Sequence, residues 1–195
     1  MRPTQTATEA ASRATFLALM GALSRPGMIH SLPGDPQGDE LRTFVAIGKA
    51  LLDLETSYYT PEALLSRKLA LTGAKGRNPA QAAYHFYPHL YAEDLTAIEQ
   101  ASVGDYLYPD RGATVMIGCR FGERAGQCMQ LSGPGVLNQS PESRIQVSDV
   151  PLEFWRQRAR RIHYPMGFDA YLIDGQKVIG LPRSTKVELE AVPCM

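Results

Sequence analysis

Cysteine is scarce and poorly spaced for structural work. Cys119, Cys128 and Cys194 are odd in number and never fall in a C-x-x-C pattern. That argues against a disulfide framework or a cysteine-based zinc site, and it suggests a reducing, cytoplasmic compartment. Long apolar runs are missing as well, since no stretch approaches the roughly 20 residues needed to cross a bilayer. The opening MRPTQTATEAASR has neither the apolar core nor the small-residue cleavage site of a secretory signal, so neither membrane insertion nor export is expected. Net charge is absent: 20 basic residues balance 20 acidic ones, leaving no excess for binding nucleic acid. Lysine is rare, with only 5 against 15 Arg, and none sits in a context that marks it for a pyridoxal Schiff base. The arginine excess suits bidentate contacts with carboxylates, phosphates or partner subunits, although high-GC coding produces the same bias.

What remains is ample for one domain spanning the whole chain, 1–195. A chain of 195 residues with 44% apolar content buries roughly 70% of its unfolded surface without needing a metal or disulfide staple. Residues 6–24 repeat Ala10, Ala14, Leu17, Leu19/Met20 and Leu23 at helical spacing, with Thr6 or Thr8 as N-cap and a stop at Arg25-Pro26-Gly27. A second helix is expected from an Asp39 cap to about Leu54, and a third from Pro61, at the first helical position, to Leu71. The aromatic stretch Tyr84 to Tyr91 contains Pro88, which breaks any helix passing through it, and 94–102 reads as helix again.

Beyond Gly104 the pattern changes. Ala113 to Phe121, Cys128 to Leu131 and Arg144 to Val150 read as strands, and Pro151 to His163 as a helix. Ala170 to Ile173 and Val178 to Leu181 flank Asp174-Gly175 as a hairpin. Helices first and strands later predict an α/β domain with a mixed sheet supplied by the second half.

Two segments could hold chemistry. Leu131-Ser132-Gly133-Pro134-Gly135-Val136 leaves a strand with glycines that let backbone N–H groups approach an anion, yet it lacks the P-loop and G-x-G-x-x-G spacings; a tight turn is the commoner meaning. Leu181-Pro182-Arg183-Ser184-Thr185 offers an arginine fork and two hydroxyls, which suits phosphate or phosphonate oxygens; the ordinary reading is a turn whose hydroxyls bond their own backbone. Asp169, just before a strand, is either a ligand contact or a loop cap. His85 and His89 have i,i+4 spacing, but Pro88 lies between them and no H-E-x-x-H pattern is present, so aromatic packing is expected rather than a metal. Arg156 and Arg160 share one face of the last helix, and Arg158 and Arg161 another. No nucleophile elbow or catalytic set is found.

Five segments together resemble one family, the H subunit of the bacterial carbon-phosphorus lyase machinery for phosphonate use. They are 16–20 with Ser24-Arg25-Pro26-Gly27, then 104–114 (GDYLYPDRGAT), 131–135 (LSGPG), 165–169 (PMGFD) and 181–185 (LPRST). The aromatic stretch 85–91 lies outside them. The resemblance implies a fold similar to the large domain of pyridoxal-phosphate-dependent transferases, without that cofactor or its lysine. It also implies a homodimer that joins G, I and J subunits in a core complex and works with an L partner. That system couples a phosphonate to the ribose C1 of a purine nucleoside triphosphate with loss of the base. On this reading the chain is an accessory subunit with no catalytic residues of its own. Its ligand or interface candidates are Arg25, Ser132, Gly133, Gly135, Asp169, Arg183, Ser184 and Thr185. The rival is an autonomous enzyme or binder using the same residues on a small phosphorylated ligand.

Overall fold

The computed structural model describes residues 6–34, 40–137 and 140–190. Helix α1 (Ala7–Ser24) starts at Thr6, whose hydroxyl accepts from the Glu9 N–H while the Glu9 carboxylate accepts from the Thr6 N–H, a reciprocal capping box. Helix α2 (Glu40–Leu51) ends three residues before the expected Leu54, and its expected cap Asp39 lies outside the described residues. Helix α3 (Ala63–Ala70) is capped by the Glu62 carboxylate accepting from Leu64 N–H, so Pro61 precedes the helix instead of opening it. Helix α4 (Leu95–Gln100) follows a 3-10 turn, and α5 is Leu152–Arg161.

The strands form two sheets. In the larger, strands β1 (His30–Ser31), β10 (Lys177–Leu181), β9 (Asp169–Asp174), β5 (Thr114–Gly118), β4 (Tyr84–Tyr87), β2 (Ser57–Tyr59) and β3 (Lys75–Gly76) lie side by side in that order. The five from β9 to β3 are mutually parallel, while β10 and β1 run antiparallel at one end. The smaller sheet is antiparallel, ordered β11 (Lys186–Leu189), β7 (Gln127–Ser132), β8 (Arg144–Ser148), β6 (Arg120–Phe121). The first half of the chain thus supplies four strands of the larger sheet, contrary to the expectation from sequence. These strands have two to four residues, too few to show an alternation.

The central strands are buried on both faces, and their alternation sorts side chains into two cores. Met116, Tyr171, Ile173 and Phe86 face α1, α2 and α3, packing with Leu19, Phe44, Ile47, Leu65 and Leu69. Val115, Ile117, Ala170, Leu172 and Tyr87 face the other way, toward α4, α5 and the smaller sheet. The domain is therefore layered α/β with a mixed sheet.

The inward face of α1 differs from expectation. Thr15, Leu19 and Ala22 are buried, whereas Phe16, Leu17 and Met20 are exposed. Ala22 faces inward because the helix backbone closes on the sheet at Gly180, where a Cβ would lie 2.5 Å from Ala22 C. The Tyr171 hydroxyl then donates to Leu19 O at 3.2 Å. The single strand expected at 113–121 is also divided: β5 and β6 belong to different sheets, joined where Arg120 and Phe121 N–H bond the Asp174 carboxylate. Cys119 is buried and free.

Candidate functional site

Three of the quoted segments meet at Arg183. Its backbone N–H donates to Asp169 Oδ1 at 2.7 Å, its Nε to the same oxygen at 3.2 Å, and its Nη2 to Oδ2 at 2.7 Å. Nη1 donates to the Pro109 carbonyl. The pair is largely enclosed, with side chains 15% and 20% exposed. Asp169 starts β9 and Arg183 follows β10, its hairpin partner, so the register of the pair sets the bidentate contact. Glycines let the loops close: a Cβ on Gly112 would lie 2.2 Å from Gly167 O and 2.7 Å from Arg183 Nη1.

The other motif residues continue this node. A Cβ on Gly133 would lie 2.6 Å from Ser184 O, and one on Gly135 2.7 Å from Ser24 O. Ser132 pairs with Lys186 where β7 meets β11. Arg25 caps the end of α1, its N–H donating to Gly21 O at 3.1 Å, with its side chain exposed. The structure thus brings Asp169, Arg183, Ser184, Thr185, Gly133 and Ser132 together. Gly135 and Arg25 sit farther along the same chain of contacts.

Beneath the 181–185 turn lies a residue that the sequence reading treated only as part of a basic helix face. Arg158 is 3% exposed. Its Nη1 donates to Thr185 O at 3.0 Å and its Nη2 to Pro182 O at 2.9 Å and Leu181 O at 3.3 Å. Burial pulls its pKa down to about 10, opposed by the charge of Asp169, so it remains a cation at neutral pH. Arg161 likewise turns inward and caps the end of α4 through the carbonyls of Ile98, Glu99 and Ala101. Arg156 and Arg160 instead pair with Glu153 at the surface. Between α5 and the 183–188 segment is a cavity of about 350 Å³, lined by Trp155, Arg158, Ile162, Thr185, Lys186 and Glu188 among others. Trp155 was missed too. Its signal was its place one helical turn before Arg158, on the face that also carries Ile162.

The loop that Arg183 holds by Pro109 carries exposed apolar side chains. Asp105 Oδ1 accepts from the Leu107 and Tyr108 N–H groups at 2.9 and 2.8 Å, and the Arg111 guanidinium lies 4.0 Å from the Tyr108 ring centroid. At the tip, Tyr106 is 76% and Leu107 84% exposed.

His85 and His89 do not share a helix. His85 is buried on β4, its Nδ1 3.2 Å from the Tyr87 hydroxyl and its ring 5.6 Å from that of Tyr59, whereas His89 lies beyond Pro88 near Tyr91. Aromatic packing is what the structure shows. Burial pushes the His85 pKa down to about 4 from 6.5, opposed in smaller part by the backbone of Ala82 and Pro79. Because the unfolded chain takes up this proton first, stability present above pH 6.5 is lost as pH falls toward 4, by on the order of 3 kcal/mol. Urea unfolding of the parent and of His85→Phe between pH 7.5 and 4.5 checks this. The variant should lose less stability across that range, and parallel curves would refute it.

The fold and its node define a class: a layered α/β domain whose distinctive residues lie on interlocked loops. Among the described residues, no group of three or more His, Cys, Asp or Glu could hold a metal, and no helix is long and apolar enough to cross a membrane. The family model described as "Bacterial phosphonate metabolism protein (PhnH)" matches residues 4–188, and the chain belongs to that family. It is similar to the "Putative C-P lyase subunit protein HtxG" of Stutzerimonas stutzeri, 30% identical over 179 residues that cover 90% of this chain and 85% of that one. It is also similar to the "Alpha-D-ribose 1-methylphosphonate 5-triphosphate synthase subunit PhnH" of Rhizobium meliloti (strain 1021). There the identity is 28% over 188 residues, covering 92% and 91% of the two chains.

Proposed function

We propose that this chain is an accessory subunit of a carbon-phosphorus lyase core complex in phosphonate use. The complex transfers a phosphonate to the ribose C1 of a purine nucleoside triphosphate with loss of the base. Its partners are G, I and J subunits and, functionally, an L subunit, in the cytoplasm. The names of its two relatives support the subunit role. Within this proposal the fold is akin to the large domain of pyridoxal-phosphate-dependent transferases, which the mixed seven-stranded sheet supports. A homodimer belongs to the same reading, and the exposed Phe16, Leu17 and Met20 of α1 supply apolar surface for a symmetric contact.

One observation carries the role in assembly. The Arg183 fork is engaged by Asp169 and Pro109, and so fixes a loop whose tip turns Tyr106 and Leu107 out to solvent. Large exposed apolar side chains on a braced loop suit a partner's pocket, because little freedom is lost on docking. The test is recovery of partner subunits with the tagged chain from cells growing on a phosphonate. Tyr106→Ser with Leu107→Ser should leave folding within about 0.5 kcal/mol and lower partner recovery roughly tenfold or more. Full recovery with the double variant would refute docking through this tip.

A further inference from the structure

Helices α1, α2 and α3, which cover one face of the larger sheet, leave a groove of about 760 Å³ between them. Its wall on α1 is built from Ala7, Thr8, Ala11, Ser12 and Thr15, small side chains that let another backbone come close. These positions lie away from Phe16, Leu17 and Met20 around the helix. Leu41 and Val45 of α2 and Leu64 of α3 add apolar surface, and Leu64 is 49% exposed, so the described chain leaves part of that surface uncovered.

Charge at the groove has one sign. Arg42 and Lys49 of α2 and Lys68 of α3 are exposed, and no acid is found among the described lining residues. Among the described residues, none of these three cations has an ion-pair partner. Helix electrostatics account for only part of the set. Lys49 and Lys68 lie in the last turns of their helices, where the macrodipole favours a cation. Arg42 lies in the first turn of α2, where the macrodipole disfavours one, so the helix itself gives no reason for it.

The layout selects the occupant. Arg42 and Lys49 are seven residues apart on one helix, which separates them by about 10.5 Å along its axis. One small anion would meet both only if the two side chains converged, whereas acids seven residues apart on a second helix match the pair directly. An extended segment finds no strand edge to pair with, because the described lining comes from three helices and the Pro33–Gly34 bend. A helix satisfies its own backbone and needs only an apolar groove.

We propose that the groove between α1, α2 and α3 docks an acidic amphipathic helix of a partner subunit, with its apolar stripe on Val45 and Leu64 and carboxylates two turns apart on Arg42 and Lys49. Lys68 meets a further acid from the α3 side. This inference rests on the subunit role and adds to it a surface separate from the Tyr106–Leu107 tip.

The test uses the complex recovered with the tagged chain from cells growing on a phosphonate. A carbodiimide, which joins amines to carboxylates without a spacer, should link Lys49 and Lys68 to Asp or Glu side chains of one partner segment whose apolar residues recur at i, i+3 or i+4 and i+7. Arg42→Glu with Lys49→Glu and Lys68→Glu alters only exposed side chains, so the variant should keep the parent's melting temperature within a few degrees. It should lower recovery of the cross-linked subunit roughly tenfold or more. Ala11→Gln, which narrows the groove without adding charge, should lower recovery as well, and Lys49→Arg with Lys68→Arg should keep it. With partners recovered, unlinked lysines, links that join only two copies of this chain, or full recovery with the triple charge reversal overturn the proposal and leave the subunit role standing. Recovery of no partner by the parent chain overturns both.

Discussion

Arg158→Met is expected to lower the free energy of unfolding by about 2–4 kcal/mol, because buried backbone carbonyls lose a charged hydrogen-bond donor. Two effects compete. Removing the cation relieves a burial that already pulls its pKa down to about 10, a gain that methionine of similar length would realise. Against it stand the carbonyls of Leu181 and Thr185, which lose this donor in a turn 23 to 27 residues away in sequence, while Pro182 O keeps the Thr185 N–H. Each orphaned carbonyl costs roughly 1–3 kcal/mol, so the loss wins. Arg158→Lys should recover part of it only, because an ammonium cannot reproduce the guanidinium's fixed fork. Arg156→Met is the comparison: its partner Glu153 is at the surface and its own side chain is 58% exposed, so its effect should stay within about 0.5 kcal/mol. Urea unfolding of the three variants measures this. Equal small losses for Arg158→Met and Arg156→Met would show that Arg158 does not hold the turn.

The same residue shows where the sequence could be read and where it could not. The helical spacing of 156, 158, 160 and 161 separates two faces correctly, but spacing does not say which face meets the protein. Acceptors 23 to 27 residues downstream decide that. Arg183 is similar: its fork and its value for an anion are visible in the sequence, but the engagement of that fork by Asp169 follows from the β9–β10 register. Helices α1 and α5 and the hairpin at Gly175 carry strong local signals and appear within a few residues of expectation. Strands β1 to β3 are held by neighbours in the sheet and carry none. On α1 an alanine-rich sequence offers more than one stripe, and the sheet selects the one that sets Ala22 against Gly180 with Leu19 in the core beside it.

The quoted glycines were legible as special positions, and the structure supplies a reason for them that is testable at Gly27. Its φ is +90°, and a Cβ there would lie 1.9 Å from the Glu142 carbonyl oxygen and 3.0 Å from Leu131 Cδ1. Gly27→Ala therefore carries two penalties. Positive φ costs a residue with a Cβ about 1–2 kcal/mol, and the contact is with backbone, which cannot rotate away. Glu142 belongs to a short 3-10 turn closed by Ser143 N–H donating to Ser140 O and by the Ser143 hydroxyl donating to the same carbonyl. Relieving the clash means shifting that turn or the end of α1, an overpacking cost of about 1–3 kcal/mol. The sum is about 2–5 kcal/mol, which for a domain of this size lowers Tm by roughly 10 °C. Gly175 separates the two penalties: its φ is +57° and nothing lies within 4 Å of an added Cβ. Gly175→Ala should then show the conformational penalty alone, about 1 kcal/mol and a few degrees. Thermal unfolding of both variants decides the matter. If they melt together, the packing of 24–27 on the 140–143 turn does not restrain the fold, and positive φ is the whole reason for glycine at position 27.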